Sequence, residues 1–166
     1  MSHDLDSMTP QMLAEQTLAE ACANALYSRD NASQQAGMTL ESVAPGKSLV
    51  SMTVRDDMVQ GHKTCHGGFM FALADSAFAF ACNTYNEPTV AIGCTIDYVA
   101  PAFLGDVLTA TATERSRSGR TGNYDVDIHN QEGRLIAMFH GKSYRVRGQI
   151  LESAETAQDA NAGESE

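Results

Sequence analysis

What this sequence lacks narrows it first. Its four cysteines, Cys22, Cys65, Cys82 and Cys94, include no CxxC pair and keep no small-scaffold rhythm. That argues against a metal ribbon or a disulfide framework and leaves reduced thiols. There is no excess of cations: eleven Lys and Arg stand against 21 Asp and Glu, for a formal net charge of −10. Without a basic stripe, nucleic acid is not an expected partner. The N-terminus carries Asp4 and Asp6 where a secretory signal would need a basic flank and an apolar run. The most apolar stretch, residues 69–82, is 14 residues long and has Asp75 inside it, too short to span a bilayer. A cytoplasmic location with no membrane partner is therefore expected. No Walker loop, no strand–GxGxxG–helix and no GxSxG elbow occurs.

What is present fits one domain of 166 residues, 43% of them apolar. The acidity sits at the ends. Residues 1–30 hold five acids against Arg29, and residues 151–166 hold five acids and no base. Between them, residues 31–150 carry eleven acids and ten bases, so the body is nearly neutral. The expected organisation is a flexible N-terminus at 1–8, a folded domain at 9–149, and a disordered acidic tail at 150–166.

From Thr9 to about Tyr27 the pattern is helical, with Thr9 as cap and Pro10 in the first turn. Met12, Leu13, Leu18, Ala21, Ala25 and Leu26 form its apolar stripe. Residues 38–43 and 48–55 read as a hairpin turning at Pro45-Gly46, and residues 56–65 as a polar loop. His66-Gly67-Gly68 then opens a run that is apolar on all sides apart from Asp75, Ser76 and Asn83, which predicts a buried helix. Asn86-Glu87-Pro88 ends it. Strands are predicted at 89–98, 106–117, around Tyr124, Val126 and Ile128, and at 135–146, with turns at 118–122 and 130–133. A hairpin, one long buried helix and several antiparallel strands make an α+β domain, a curved antiparallel sheet wrapped around a long central helix.

Two features of that helix carry chemistry. The first backbone N–H groups of a helix lack internal partners and sit at the positive end of its dipole. Gly67 and Gly68 let a ligand approach that backbone, which suits an anion or a carbonyl oxygen becoming one. Glycines also stand at such junctions for steric reasons alone. The second feature is Asp75, in the middle of the apolar segment. A buried carboxylate is costly unless paired, and burial raises its pKa toward the range of a base or nucleophile. A structural acid paired with a basic residue is the alternative. Eight residues of helix separate Gly67 from Asp75 by roughly 12 Å along the axis and about 80° around it. One small carbonyl cannot touch both from a single chain. A twofold dimer brings one chain's Gly67 to the other's Asp75, so composite sites, two per dimer, are expected.

The words GHKTCHGGFMFALADSAFAFAC, CTIDYVAP, GDVLTATA and GKSYRV resemble the PaaI-type thioesterases of phenylacetic acid degradation, within the hotdog-fold acyl-CoA thioesterase superfamily. The likeness runs from about residue 10 to 148. It implies a hotdog fold, an acyl-CoA substrate and no separate cofactor, since coenzyme A is part of the substrate. It implies a homodimer, arranged as a dimer of dimers, with Asp75 as nucleophile or general base. It also implies that the Gly67 N–H polarises the thioester carbonyl from the other subunit. Many relatives have Asn at the position of Gln60, where the amide orients the thioester; Gln60 keeps the amide with one more methylene. A Ser or Thr that holds water in another branch falls here on Ala91. His66 becomes a positioning residue or helix cap.

Other groups compete less well. His62, Cys65 and His66 lack a further spaced ligand set, so no metal is expected. Adjacent Cys65 and His66 seldom present both side chains to one point. Asp97, a second carboxylate in a mostly apolar stretch, reads as an outward-facing or interface-facing strand acid. The phosphates of coenzyme A need cations or N–H groups. The 117–122 turn (Arg117, Arg120, Thr121, Gly122) and Lys142 on the last strand are the candidates, against the plainer reading as surface charge. The expected function is hydrolysis of phenylacetyl-CoA or a ring-hydroxylated relative. The competing readings are a hotdog hydratase or dehydratase, and a non-catalytic acyl-CoA sensor.

Overall fold

The computed structural model describes residues 8–151; the expectations for residues 1–7 and 152–166 lie outside that range. The elements run α1 (Pro10–Tyr27), α2 (Asn31–Gln35), β1 (Met38–Ala44), β2 (Lys47–Thr53), a 3-10 turn (Asp56–Met58), α3 (Gly67–Cys82), β3 (Thr89–Tyr98), β4 (Val107–Ser118), β5 (Thr121–His129) and β6 (Leu135–Arg145). The strands form one six-stranded antiparallel sheet in the order β1-β2-β4-β5-β6-β3. α3 lies across its inner face, as the α+β reading expects.

The register explains how the helix comes so close. Two rows cross the inner face: Val50, Ala110, Ile128, Ala137, and Ser48, Ala112, Val126, Phe139. The alanines at the middle of each row leave room for a backbone. α3 answers with Ala74, Ala77 and Ala81, all fully buried. Ser48 seals the approach by donating its hydroxyl to the Ala77 carbonyl at 2.6 Å. Around this floor sit Phe78, Phe80, Tyr124 and Leu108, none more than 2% exposed. Gly141 on β6 leaves the space that Phe78 fills: a Cβ there would stand 3.0 Å from the Phe78 ring.

α3 ends in a buried polar knot. The Asn83 amide donates to the Ala79 and Thr89 carbonyls, each at 2.9 Å, and accepts from the Thr89 N–H at 2.8 Å. It thereby ties the helix end to the start of β3.

Three expectations need correction. The α1 stripe is the first. Thr9 caps α1 as predicted, accepting from the Met12 N–H. The buried face, however, is Ala19, Cys22 and Ala23, while Met12, Leu13 and Leu18 are 36–49% exposed. Those three large side chains point outward where α1 packs on β1 through short ones. Leu26, also in the predicted stripe, and Tyr27 pack partly buried against the core at the helix end. The second is the loop at 56–65, which holds the 3-10 turn and a short bridge between Val59 and Cys65, with Met58 and Cys65 buried. The third is the tail boundary at 150. Ile150 is 7% exposed, and the N–H groups of Ile150 and Leu151 both donate to Asn86 Oδ1. Folded structure therefore reaches Leu151. α2, capped by Asp30, went unpredicted because its five residues, NASQQ, carry no apolar period.

Candidate active site

The junction that opens α3 is held from several sides. The His66 N–H donates to the Met58 carbonyl, and the Cys65 N–H to the Ala102 carbonyl, both at 2.8 Å. His66 is the helix cap: its Nδ1 accepts the Gly68 N–H at 2.9 Å. That nitrogen is therefore the unprotonated one in neutral His66. Gly68, expected to bind substrate, has its N–H taken by the cap and cannot offer it to a ligand. The Gly67 N–H, by contrast, has no acceptor among the described residues. A free donor at the positive end of α3 thus sits at Gly67, where the sequence placed it. The other side of Gly67 is closed by Tyr98, whose hydroxyl donates to the Gly67 carbonyl at 2.9 Å.

Asp75 lies two turns further along the same unbroken helix, half-buried. Burial pushes its carboxyl above the usual range, and a hydrogen bond from the Cys94 thiol pulls it partly back. The Sγ–Oδ1 distance is 3.9 Å. Asp75 makes no ion pair among the described residues. Its raised affinity for a proton makes it a candidate base or nucleophile. The separation of roughly 12 Å and about 80° from Gly67 holds, because the helix between them is continuous.

Gln60, a candidate for orienting the thioester, has its amide engaged within its own loop. Its Nε2 donates to Thr64 Oγ1 at 2.9 Å and its Oε1 accepts the His62 N–H at 3.1 Å. Both ends of the amide shape the loop that leads into His66.

The structure does gather Arg117, Arg120, Thr121 and Gly122, with Arg145, around a shallow depression at the C-terminal end of α3. Only part of that charge is free. Glu87 pairs with Arg117 at 3.1 Å and also with Arg145. The Arg117 guanidinium stacks on Tyr85, 3.8 Å from the ring centroid. Gly122 is buried against Ser143 and Tyr124, so it shapes the floor. The predicted turn is shorter than expected, because Thr121 already begins β5 and Gly119, at φ 59°, makes the bend. Lys142 is exposed on β6 and does not line this depression. Cys82 does, which puts the depression roughly 10 Å beyond Asp75 along the helix axis.

A hollow of about 410 Å³ lies elsewhere, on the outer sheet face between Asp97, Arg115 and Asp125. It contains neither Asp75 nor Gly67, and Asp97 faces outward as expected. Among the described residues, no group of three His, Cys, Asp or Glu side chains is placed to hold a metal ion. Tyr98 and Cys94 escaped the sequence reading. Strand alternation puts Cys94, Ile96 and Tyr98 on one face, but only the packing shows that this face meets α3.

An antiparallel sheet laid around one long helix, with a free N–H at the helix start and an unpaired carboxylate at its middle, defines a hotdog domain built for acyl chemistry. Comparison with known proteins carries this further. Residues 62–137 match the model of the Thioesterase superfamily. The acyl-coenzyme A thioesterase PaaI of Escherichia coli K12 is 46% identical over 132 residues, which are 80% of this chain and 94% of that protein. The structure of the E. coli PaaI protein from the phenylacetic acid degradation operon superposes with a TM-score of 0.80 at 44% identity, covering 81% of this chain and 97% of that one. A thioesterase protein from Streptococcus pneumoniae TIGR4, solved with coenzyme A, gives a TM-score of 0.64 at 27% identity over 68% of this chain and 87% of that one. The chain belongs to the thioesterase superfamily, among its PaaI-type members, and is a thioester hydrolase.

Proposed function

We propose that this protein hydrolyses aryl-acetyl-CoA thioesters, phenylacetyl-CoA or its ring-hydroxylated forms, in the cytoplasm. Each site would combine Asp75 of one chain with the Gly67 N–H of a second. At the coarser level, acyl-CoA thioester hydrolysis follows from the family. The observation that carries the finer reading is a single pairing on α3: an unpaired carboxylate whose proton affinity is raised, and an N–H without an acceptor, too far apart to serve one carbonyl within one chain.

Twofold pairing is supported by β3. It is the last strand in the sheet order, so its outer edge has no strand partner, and it exposes Val90, Ile92 and Tyr98 to 49–59%. Edges of that kind pair with another chain. A dimer of dimers extends the same reading. The aryl preference is supported by the E. coli relative and by Phe69 and Phe71, which stay partly exposed while Phe78 and Phe80 are core. Arg120, with Arg117 and Arg145, is the proposed ground for the phosphates of coenzyme A.

In the reaction the thioester oxygen accepts the Gly67 N–H. Either Asp75 takes a proton from water whose oxygen attacks the carbonyl carbon, or the carboxylate attacks it and the mixed anhydride is then hydrolysed. In both routes the C–S bond breaks, the sulfur leaves with the electron pair, and the products are the acid and the CoA thiol. Release of CoA from phenylacetyl-CoA, followed with a thiol reagent in wild type, Asp75→Ala and Asp75→Asn of confirmed oligomeric state, tests this. Turnover in wild type and its loss in both variants is expected. Undiminished variants would reject Asp75. Tight binding without turnover would favour the sensor, and hydration of crotonyl-CoA the hydratase.

A further inference from the structure

β3 runs beside the reacting stretch of α3 and touches it at two points. At one, Tyr98 donates to the Gly67 carbonyl at 2.9 Å. At the other, the Cys94 thiol reaches Asp75 Oδ1 at 3.9 Å. The spacings agree. Four strand residues cover about 13 Å, and eight helical residues about 12 Å. The higher-numbered strand residue meets the lower-numbered helix residue, so the two elements lie antiparallel. Cys94, Ile96 and Tyr98 share the strand face turned to the helix.

We infer that β3 sets both reacting groups of α3: Tyr98 is the positioning residue for the Gly67 amide, and Cys94 for the Asp75 carboxylate. The inference rests on the proposed roles of Gly67 and Asp75. Tyr98 holds the peptide plane on the C-terminal side of Gly67, and so anchors the residue that bears the free N–H from the far side of its Cα. It also accounts for the glycine. A Cβ on Gly67 would stand 2.9 Å from the Tyr98 ring and hydroxyl. Glycine is thus needed for Tyr98 to close on the backbone, whatever the ligand requires. Cys94 is the hydrogen-bond donor Asp75 has among the described residues, and it occupies Oδ1. Oδ2 is left for water or for attack. The titratable groups that feel the Asp75 charge are Cys94 on β3 and, further along α3, Cys82. Burial first, and then that charge, pushes the Cys94 thiol up, so it stays protonated and able to donate.

The test is kcat and KM for phenylacetyl-CoA across pH in wild type, Tyr98→Phe, Cys94→Ala and Cys94→Ser, each checked for native oligomer. Tyr98→Phe keeps the ring and is expected to lower kcat about tenfold with KM unchanged, because a misaimed donor weakens only the transition state. Its acidic limb should stay in place. Cys94→Ala should move the acidic limb of kcat/KM to higher pH, since a donor that favoured the carboxylate is gone. Cys94→Ser, with an O–H donor, should bring it most of the way back. A merely structural cysteine would leave the limb unmoved.

Alkylation provides a readout that needs no turnover. Cys22, Cys65 and Cys82 are 0–3% exposed, so Cys94 is the accessible thiol. Asp75→Asn should speed its reaction with iodoacetamide, because the charge that raises its pKa is removed. A fixed acidic limb in Cys94→Ala overturns the role of Cys94, and wild-type kcat in Tyr98→Phe overturns that of Tyr98. If Asp75→Asn alkylates faster yet still hydrolyses, the contact stands and the catalytic reading of Asp75 falls instead.

Discussion

At the scale of single residues, the role proposed for Asp75 sets activity against stability. Its proton affinity is raised in the folded chain by burial. The native state therefore holds the proton more tightly than the unfolded state. Such a group favours folding at pH below its unfolded pKa, and that contribution is lost as pH rises through the higher folded value. Above its folded pKa the ionised carboxylate is a liability to the fold. Asp75→Asn should accordingly raise the thermal midpoint at pH 7 while cutting kcat by about 10² to 10⁴. The gain in midpoint should shrink at acidic pH, where the wild-type carboxyl is neutral too. Calorimetry at two pH values beside the CoA-release assay checks it. Equal or lower midpoints for Asp75→Asn at pH 7 would mean that the carboxylate is satisfied in the assembled protein. Asp75 and Gly67 stood out in the sequence as candidates because their signals are local: an acid inside an apolar run, and glycines at a helix start. Tyr98 and Cys94 were not, because their roles depend on which strand lies beside the helix. The fate of the Gly68 N–H was hidden for a related reason, since it turns on one His66 rotamer.

At the scale of elements, two small features hold α3 to the sheet, and each can be tested by one substitution. Asn83 satisfies the Thr89 N–H and carbonyl, which would otherwise be orphaned where β3 begins. Asn83→Ala leaves those partly buried groups unpaired and should destabilise the fold by about 1–3 kcal/mol in urea unfolding. Gly141→Ala places a methyl 3.0 Å from both Phe78 and Phe139. Overpacking of that kind costs about 1–3 kcal/mol, and the midpoint should drop with an unchanged m-value. A neutral Gly141→Ala would show that Phe78 has room to turn. The long helix was readable as an apolar run too long for a strand, and the strands by their alternation and the turns that bound them. α1 was misjudged over its first three turns because Met12, Leu13 and Leu18 point outward and short residues make the contact. Size, the cue that picks out a buried stripe, ran opposite to packing there. The order of strands was not readable at all. Crossing from β2 through α3 to the far edge is a matter of global topology, and it is what delivers β3 to the reacting residues.

At the scale of the whole molecule, the decisive question is whether a site belongs to one chain or two. A composite site predicts complementation between two inactive variants. Asp75→Asn removes the carboxylate. Gly67→Pro removes the free N–H at the first helical position, where proline's fixed φ suits a helix. His66, with φ −64° and ψ 133°, already has the extended backbone that a following proline needs. The proline ring must push Tyr98 aside, and Tyr98, 51% exposed, has open space to turn into. Each homodimer lacks one essential group at both sites and should be inactive. In a mixed dimer one site loses both groups and the other regains both, so each mixed dimer should show about half of wild-type activity. Co-expression with two different tags isolates the mixed species, and CoA release from phenylacetyl-CoA measures it. An inactive mixed dimer, with intact wild type isolated the same way, would mean that Gly67 and Asp75 of one chain serve one site. The separation of roughly 12 Å along α3 would then have to be bridged by water or by movement of the helix start. A complementary variant, Ile92→Lys, places a charge on the exposed β3 edge without touching α3. It should shift the protein to monomers in sedimentation and abolish turnover while leaving its circular dichroism unchanged. Those results together would tie activity to pairing, since a monomer of this chain carries both groups yet cannot bring them to one carbonyl.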